Sequence, residues 1–251
     1  MHPQTFLRRS LVATACILAL TLSSATWAGV VLGGTRVVYP SQNREVSVRV
    51  MNEGKHAALV QAWLDLGDPQ AKPEDIEVPF TLMPPVFRLD PGKGQTMRLV
   101  YTKEPLPQDR ESVFWLNVLE IPPKASDGNG QNHLQVAYRT RVKVFFRPAG
   151  LTGRPEQAAQ QLSWSLTRSA DDEHVFRLKA DNPTPYAVSF AGIVLKAGDR
   201  EVARTNGMVK PKQSVTFALK GLTAAPKAPM HVTYHYINDY GADAEGTAAV
   251  K

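Results

Sequence analysis

Apolar and polar residues alternate over an unusually long run in the middle of the chain, residues 134–147 (LQVAYRTRVKVFFR). Successive side chains of a β-strand point to opposite faces, so alternate residues share one face. One face of this run carries Leu134, Val136, Tyr138, Thr140, Val142, Val144 and Phe146, and the other carries Gln135, Arg139, Arg141, Lys143 and Arg147. Most strands end after about five or six residues, and a long apolar strand backed by basic residues is typical of an edge that pairs with another chain. The pattern therefore indicates a binding protein before it indicates an enzyme.

Shorter runs with the same period follow one another after Gly29, separated by turn residues and prolines. A helical period does not persist among them, which predicts an all-β protein. The predicted strands are residues 35–39, 45–51, 58–64, 80–83, 96–102, 113–121, 161–167, 175–180, 187–195, 202–204, 214–219 and 231–238. We expect their aromatic residues to lie in hydrophobic cores, namely Trp63, Phe80, Phe114, Trp115, Trp164, Phe176, Phe190 and Phe217.

The long run ends at Pro148, and residues 149–155 read as a linker between two sets of strands. Two sandwiches of ordinary size fit the two sets. We therefore expect two β-sandwich domains, residues 29–150 and 151–251, each with its own core.

The first 28 residues have the features of a cleavable export signal. Arg8 and Arg9 precede an uncharged apolar stretch at 11–22, and small residues lead to a predicted cut after Ala28. Cys16 is the single cysteine and would leave with the signal, so we expect no disulfide in the mature protein. The apolar stretch is too short to span a bilayer, so we expect export to the periplasm without membrane insertion.

Net charge adds little to this interpretation. Removing the signal takes away two of 29 basic residues, which leaves 27 against 23 acidic residues, a net charge of +4. This surplus is small beside the basic patches of nucleic-acid-binding proteins. We therefore expect no nucleic-acid partner.

Nine segments, in order along nearly the whole mature chain, resemble the periplasmic chaperones of the chaperone–usher pathway, the PapD-like family that assembles bacterial pili. They are TRVVYP (35–40), Asn52 with ALVQAW (58–63), PPVFRL (84–89), PGKGQ (91–95), LPQDRES (106–112), FWLN (114–117), EIPP (120–123), VKVFFRP (142–148) and YINDYG (236–241). The resemblance implies two immunoglobulin-like β-sandwich domains in a boomerang arrangement, with a cleft between them.

The resemblance also assigns roles to particular residues. Arg36 and Lys143 match the two cations that bind the C-terminal carboxylate of a pilus subunit, and charge-assisted hydrogen bonds suit that task. The donated strand, which fills the groove of an incomplete subunit, is matched by Leu134, Val136 and Tyr138, with Thr140 as a fourth position.

Three further residues, Glu111, Arg147 and Asp239, match the charge cluster that joins the two domains of the family. The loop at 122–132 (PPKASDGNGQN) is only slightly extended, and the mature chain has no cysteine. Both features favour the short-loop branch of the family over the long-loop branch.

Motifs for catalysis or phosphate binding are absent from the sequence. His231 and His235 lie four residues apart, which on a strand separates them by roughly 13 Å, too far to share a metal ion. We expect no enzyme activity, no cofactor and no metal site.

The expected partners are pilus (fimbrial) subunits and an outer-membrane usher. A self-capping homodimer of the free protein remains open. The alternative functions are a two-domain β-sandwich adhesin or fimbrial structural subunit and, third, a hydrolase on a sandwich.

Overall fold

The structure is a computed structural model that describes residues 29–123, 134–168, 176–219, 222, 226 and 228–251. The proposed export signal with Cys16 lies outside the described residues, as does most of the loop at 122–132.

The first domain is a sandwich of two sheets. One sheet has the strand order β1-β3-β7-β5 and the other has the order β2-β9-β8-β4-β6. The strands are β1 (Val30–Leu32), β2 (Arg36–Pro40), β3 (Val46–Asn52), β4 (Ala58–Asp65), β5 (Phe80–Met83), β6 (Val86–Leu89), β7 (Gly94–Tyr101), β8 (Ser112–Ile121) and β9 (Tyr138–Arg147), with a 3₁₀ turn at Pro73–Asp75. Both sheets contribute side chains to one hydrophobic core.

The second domain is also a sandwich, with sheets ordered β10-β11-β14 and β13-β12-β15-β16. It begins with a short helix, α1 (Pro155–Ala158), and a 3₁₀ turn (Ala159–Gln161). The strands are β10 (Ser163–Arg168), β11 (Phe176–Asp181), β12 (Val188–Ala197), β13 (Arg200–Val209), β14 (Ser214–Ala218), β15 (Met230–Ile237) and β16 (Asp243–Ala249). Its separate core is built around Trp164. The all-β, two-sandwich fold predicted from the sequence is confirmed.

The prediction that the aromatic residues lie in the cores is wrong for Trp63 and Trp115. Both are only partly buried and lie on the outer face of the five-stranded sheet, because Leu64 and Leu116 occupy the inward positions beside them. The other aromatic residues named in the prediction, from Phe80 to Phe217, are buried.

The long alternating run does not form one continuous strand. β9 begins at Tyr138, and residues 134–137 are described outside any strand. The reason is the length of its neighbour: Glu120, next to the last residue of β8, pairs with Tyr138, so no paired residue of β8 lies opposite Leu134 or Val136.

Candidate functional site

Two cations lie side by side on the outer face of the five-stranded sheet, where β2 and β9 pair in parallel. Arg36 and Lys143 are direct partners in that register. The Arg36 guanidinium lies over the Phe145 ring, with 5.6 Å to the ring centroid, and its Nη1 donates a 2.6 Å hydrogen bond to the carbonyl oxygen of Ile237 in the second domain. The pair therefore lies where the two domains meet.

Both cations retain unused hydrogen-bonding capacity within the described part of the chain. Arg36 Nε is buried without a partner there, and the Lys143 ammonium makes no hydrogen bond or ion pair with a described residue. Burial lowers the pKa of Lys143, and the positive charge of Arg36 lowers it further. Burial also lowers the pKa of Arg36, although the negative charges of Asp239 and Glu111 act to raise it. Like charges side by side destabilise a sheet, and an anion bound between them would relieve that repulsion.

β9 offers a free edge next to this pair. Residues 138–146 of β9 pair with β8, but on the other side β2 covers only residues 143–147. Residues 138–142 therefore have no strand neighbour on that side among the described residues. The apolar face of residues 134–140 is exposed: Leu134 is 91% exposed, Val136 44% and Tyr138 65%, and Thr140 on the same face is also exposed.

Glu111, Arg147 and Asp239 come together between the domains. Arg147 Nε donates a 2.6 Å hydrogen bond to Glu111 Oε1, and its Nη1 and Nη2 donate bonds of 2.6 and 2.9 Å to Asp239. Burial raises the pKa of Glu111, although the positive charge of the adjacent Arg147 guanidinium acts to lower it. Burial acts to lower the pKa of Arg147, but hydrogen bonds to Asp239 and the charge of Glu111 raise it above its usual value.

Further contacts between the domains were not predicted from the sequence. Glu111 Oε2 also accepts a 2.8 Å hydrogen bond from the Ala187 backbone N–H, and Lys212 Nζ lies 2.7 Å from Asp109 Oδ2. Turn signals mark these loops in the sequence, but nothing in the sequence pairs one loop with another.

A second ion pair missed by the sequence analysis joins β9 to β4 across β8, on the side of β9 away from its free edge. Arg141 Nη2 donates to Asp65 Oδ1, Asn117 Nδ2 donates a 2.7 Å bond to Asp65 Oδ2, and the guanidinium lies 5.0 Å from the Trp115 ring centroid. Asp65 is 2% exposed. Burial acts to raise the pKa of Asp65, but hydrogen bonds from Arg141 and Asn117 outweigh it, so the pKa is lowered.

The two histidines considered for a metal site lie on β15. His235 Nδ1 is 2.9 Å from Asp243 Oδ2, and His231 pairs with Ala249. Among the described residues, no group of three or more His, Cys, Asp or Glu side chains is arranged to hold a metal ion. No helix in the described ranges is long and apolar enough to cross a membrane.

Two family profiles together span most of the chain. The N-terminal domain of PapD, described as a pili and flagellar-assembly chaperone, matches residues 29–152, and the C-terminal domain of the pili assembly chaperone PapD matches residues 157–248. The chain belongs to the PapD-like chaperone family.

Curated relatives of this PapD-like chaperone are similar over nearly their whole length. The probable fimbrial chaperone YadV of Escherichia coli K12 is 44% identical over 236 residues, covering 92% of this chain and 94% of the relative. The chaperone protein FimB/FhaD of Bordetella pertussis is 40% identical over 247 residues, covering 97% of each chain.

Solved structures of PapD-like chaperones show the same fold. The crystal structure of the YadV chaperone has a TM-score of 0.75 and 41% identity, covering 88% of this chain and 100% of the other. The SafB chaperone of Salmonella enterica, solved in complex with the SafA pilin, has a TM-score of 0.71 and 25% identity, covering 90% and 98%.

Proposed function

We propose that the protein is a periplasmic chaperone that binds, folds and caps pilus subunits and delivers them to an outer-membrane usher. The family assignment and the complex of SafB with the SafA pilin support the choice of cargo. The observation that carries the proposal is the pair of adjacent, incompletely bonded cations, Arg36 and Lys143, beside a free strand edge.

The cations are suited to a terminal carboxylate. Arg36 Nε and the Lys143 ammonium are donors without partners in the described structure, and a carboxylate accepts from both. Charge-assisted hydrogen bonds of this kind are stronger than neutral ones. The pairing of β2 and β9 holds the two side chains adjacent, so little ordering is needed when the anion binds.

The free edge of β9 is suited to a strand that lacks a neighbour. Backbone groups of residues 138–142 would pair with the subunit, while Leu134, Val136 and Tyr138, with Thr140, would fill its open groove. A subunit that ends at Lys143 and lies along residues 138–142 must run in the same direction as β9. The proposed pairing is therefore parallel.

The other residues assigned from the family resemblance fit this role. The cluster of Glu111, Arg147 and Asp239 would fix the angle between the domains and thus the position of Arg36 against domain two, since buried ion pairs specify geometry more than they add stability. The proposed role needs no catalytic step and no cofactor. An adhesin or fimbrial subunit is not favoured, because the family and its named relatives are chaperones.

The test is capture of a subunit in the periplasm. Small exported proteins that co-purify with the tagged protein are identified by mass spectrometry, and one is then co-expressed with each variant. Arg36→Ala and Lys143→Ala should fold and be exported but lose capture, because removing one member of a buried charged contact costs about 2–5 kcal/mol. Lys93→Ala, which removes one charge from an exposed turn, is the control.

A change in the subunit tests the same anchor from the other side. Extending the subunit by three residues beyond its C-terminus moves the carboxylate away from Arg36 and should abolish capture by the unaltered chaperone. Normal capture by both alanine variants, or of the extended subunit, would show that the cations are not the anchor.

A further inference from the structure

Gly29 lies against the carboxylate of Glu120. A Cβ atom built on Gly29 would overlap both carboxylate oxygens, and the next backbone N–H, that of Val30, donates a 2.8 Å hydrogen bond to Glu120 Oε2. The carboxylate can come this close to the backbone because glycine has no side chain. The Gly29 nitrogen is bonded to the same Cα atom, so it is a neighbour of the carboxylate as well.

The two sheets of the first domain hold these groups together. Side chains alternate along β8, so Glu120 points to the same face as Val118, which is buried in the core. Glu120 is the next residue on that face, and it reaches across to the start of β1 in the other sheet. There the Gly29 carbonyl oxygen accepts a 3.0 Å hydrogen bond from the Glu53 N–H, which continues the pairing of β1 with β3. The contact therefore closes one end of the sandwich.

The carboxylate of Glu120 has capacity for a cation. It is only partly exposed, and the Val30 N–H is its one hydrogen-bond donor among the described residues. A carboxylate can accept about four hydrogen bonds, and an unpaired charge that is withdrawn from water costs free energy. No cationic side chain within the described ranges forms an ion pair with Glu120.

The α-ammonium of a processed chain is a cation that fits this place. The sequence predicts cleavage after Ala28, and the family profile of the N-terminal PapD domain likewise begins at residue 29. Hydrolysis of the peptide bond between Ala28 and Gly29 adds one water, leaves a carboxylate on Ala28 and frees the Gly29 amine, which is protonated at neutral pH. We propose that this ammonium binds the Glu120 carboxylate, so that removal of the export signal completes the sandwich. Processing belongs to the export step of the proposed function, on which this assignment rests.

The position of the ion pair connects it to the donated segment. Glu120 is paired with Tyr138, the first residue of β9, and residues 134–137 lie outside any strand. The ion pair of Gly29 and Glu120 therefore ties β1 to the other sheet at the place where the donated segment leaves the sandwich. In the unprocessed chain the Gly29 nitrogen is a neutral amide, so it cannot neutralise the carboxylate. Processing thus gives this end of the first domain a stability that the precursor lacks.

The N-terminus of the exported protein is tested first. Intact-mass spectrometry of the protein purified from the periplasm should give a chain that begins at Gly29. Two forms are then released from an N-terminal fusion: one begins at Gly29, and the other keeps two extra residues, alanine and serine, before it. Each is made with Glu120 and with Glu120→Gln, which keeps a hydrogen-bond acceptor for Val30 but removes the charge.

Hydrogen exchange of the backbone amides in β1 measures the ion pair. In the protein with Glu120, the extension should speed exchange of Val30–Leu32 about fivefold, the upper range for a partly exposed ion pair. In the Glu120→Gln protein the extension should have little further effect, because the two groups form one contact. Glu53→Gln is the matched control: Glu53 is exposed and its N–H is bonded to the Gly29 carbonyl, and the extension should keep its full effect in that variant.

The outcomes separate this inference from the proposed function. An extension that has no effect, or an effect of equal size in the Glu120 and Glu120→Gln proteins, would overturn the inference alone, as would a periplasmic chain that begins at another residue. A protein that stays in the cytoplasm with residues 1–28 attached would overturn the export step, and with it the basis of the inference.

Discussion

Val144 and Tyr138 lie on the same face of β9, yet Val144 is fully buried and Tyr138 is 65% exposed. The core ends between them, because Val142 is the last residue of this face that packs in it. The apolar face of the strand thus continues beyond the sandwich that β9 belongs to. Those outer side chains contribute little to the domain that carries them.

Val136→Asp should therefore separate folding from capture. Val136 is 44% exposed, so the melting temperature should hardly change, whereas a charge placed in the subunit groove should weaken capture by about 30-fold or more, or roughly 2 kcal/mol. Val144→Asp is the matched control on the same face, and it should unfold the domain. Thermal melts and pull-downs of both variants decide the matter. If Val136→Asp also unfolds the first domain, residues 134–140 are not a donated segment.

The lowered pKa of Lys143 should make the proposed carboxylate binding dependent on pH. In the proposed anchor, Lys143 would bind the carboxylate only as the protonated ammonium. Affinity should therefore be full at pH values below the pKa of Lys143 and fall as the pH rises through that pKa, which lies below the usual lysine value of about 10.4. Lys143→Arg should keep its charge across this range. Titrating a carboxylate-ended peptide from neutral to alkaline pH measures both curves. Parallel losses in the two proteins would contradict this assignment of the titrating group.

The contact between Arg147 and Asp239 should control the angle between the domains. Asp239→Ala leaves Arg147 paired only with Glu111, so the domains should sample wider angles and the periplasmic level should fall; Glu111→Ala should act in the same direction. Small-angle scattering and immunoblots measure these effects. Asp109→Ala, which removes the exposed contact with Lys212, should change neither. An unchanged scattering profile for Asp239→Ala would rule out this role.

The buried pair of Asp65 and Arg141 should stabilise the first domain. Asp65→Asn should lower the free energy of unfolding by about 3 kcal/mol at neutral pH, because a cation loses its buried partner. The pKa of Asp65 is lowered on folding, so its contribution is complete above the unfolded value of about 3.9 and is lost as the pH falls through the folded value.

The difference between wild type and Asp65→Asn should accordingly shrink in acid, which urea unfolding at several pH values would show. Asp90→Asn removes an exposed pair with Arg88 and should change stability by less than about 1 kcal/mol. A difference that stays constant down to strongly acidic pH would mean that the effect does not come from the carboxylate charge.

Most of the fold could be predicted from the sequence because apolar and polar residues alternate along strands that cover a core, and prolines mark the turns between those strands. The sequence did not predict β1, which has only three residues, β6, which has four residues and directly follows Pro84 and Pro85, or β16, whose alternating residues are mostly small. Trp115 was misplaced because β8 carries apolar residues on both faces, so composition could not show which face is inward.

It was harder to predict which residues lie next to each other in the site than to predict which residues belong to it. The order of motifs indicated Arg36 and Lys143, but their adjacency depends on the parallel register of two strands more than 100 residues apart. The pair of Asp65 and Arg141 has the same origin, since three strands must align before the carboxylate reaches the guanidinium. No local pattern records such registers.

The free edge of β9 has a consequence for the evolution of the subunits that we propose it binds. Its proposed recognition groups are peptide N–H and C=O groups, which are the same in every protein, and the proposed anchor would need only a chain terminus. A subunit that keeps its final strand is therefore free to change its outer surface without losing this chaperone. One such chaperone should accordingly serve several different subunits of the same fibre, and the exposed antigens of that fibre can diverge while their assembly partner stays the same.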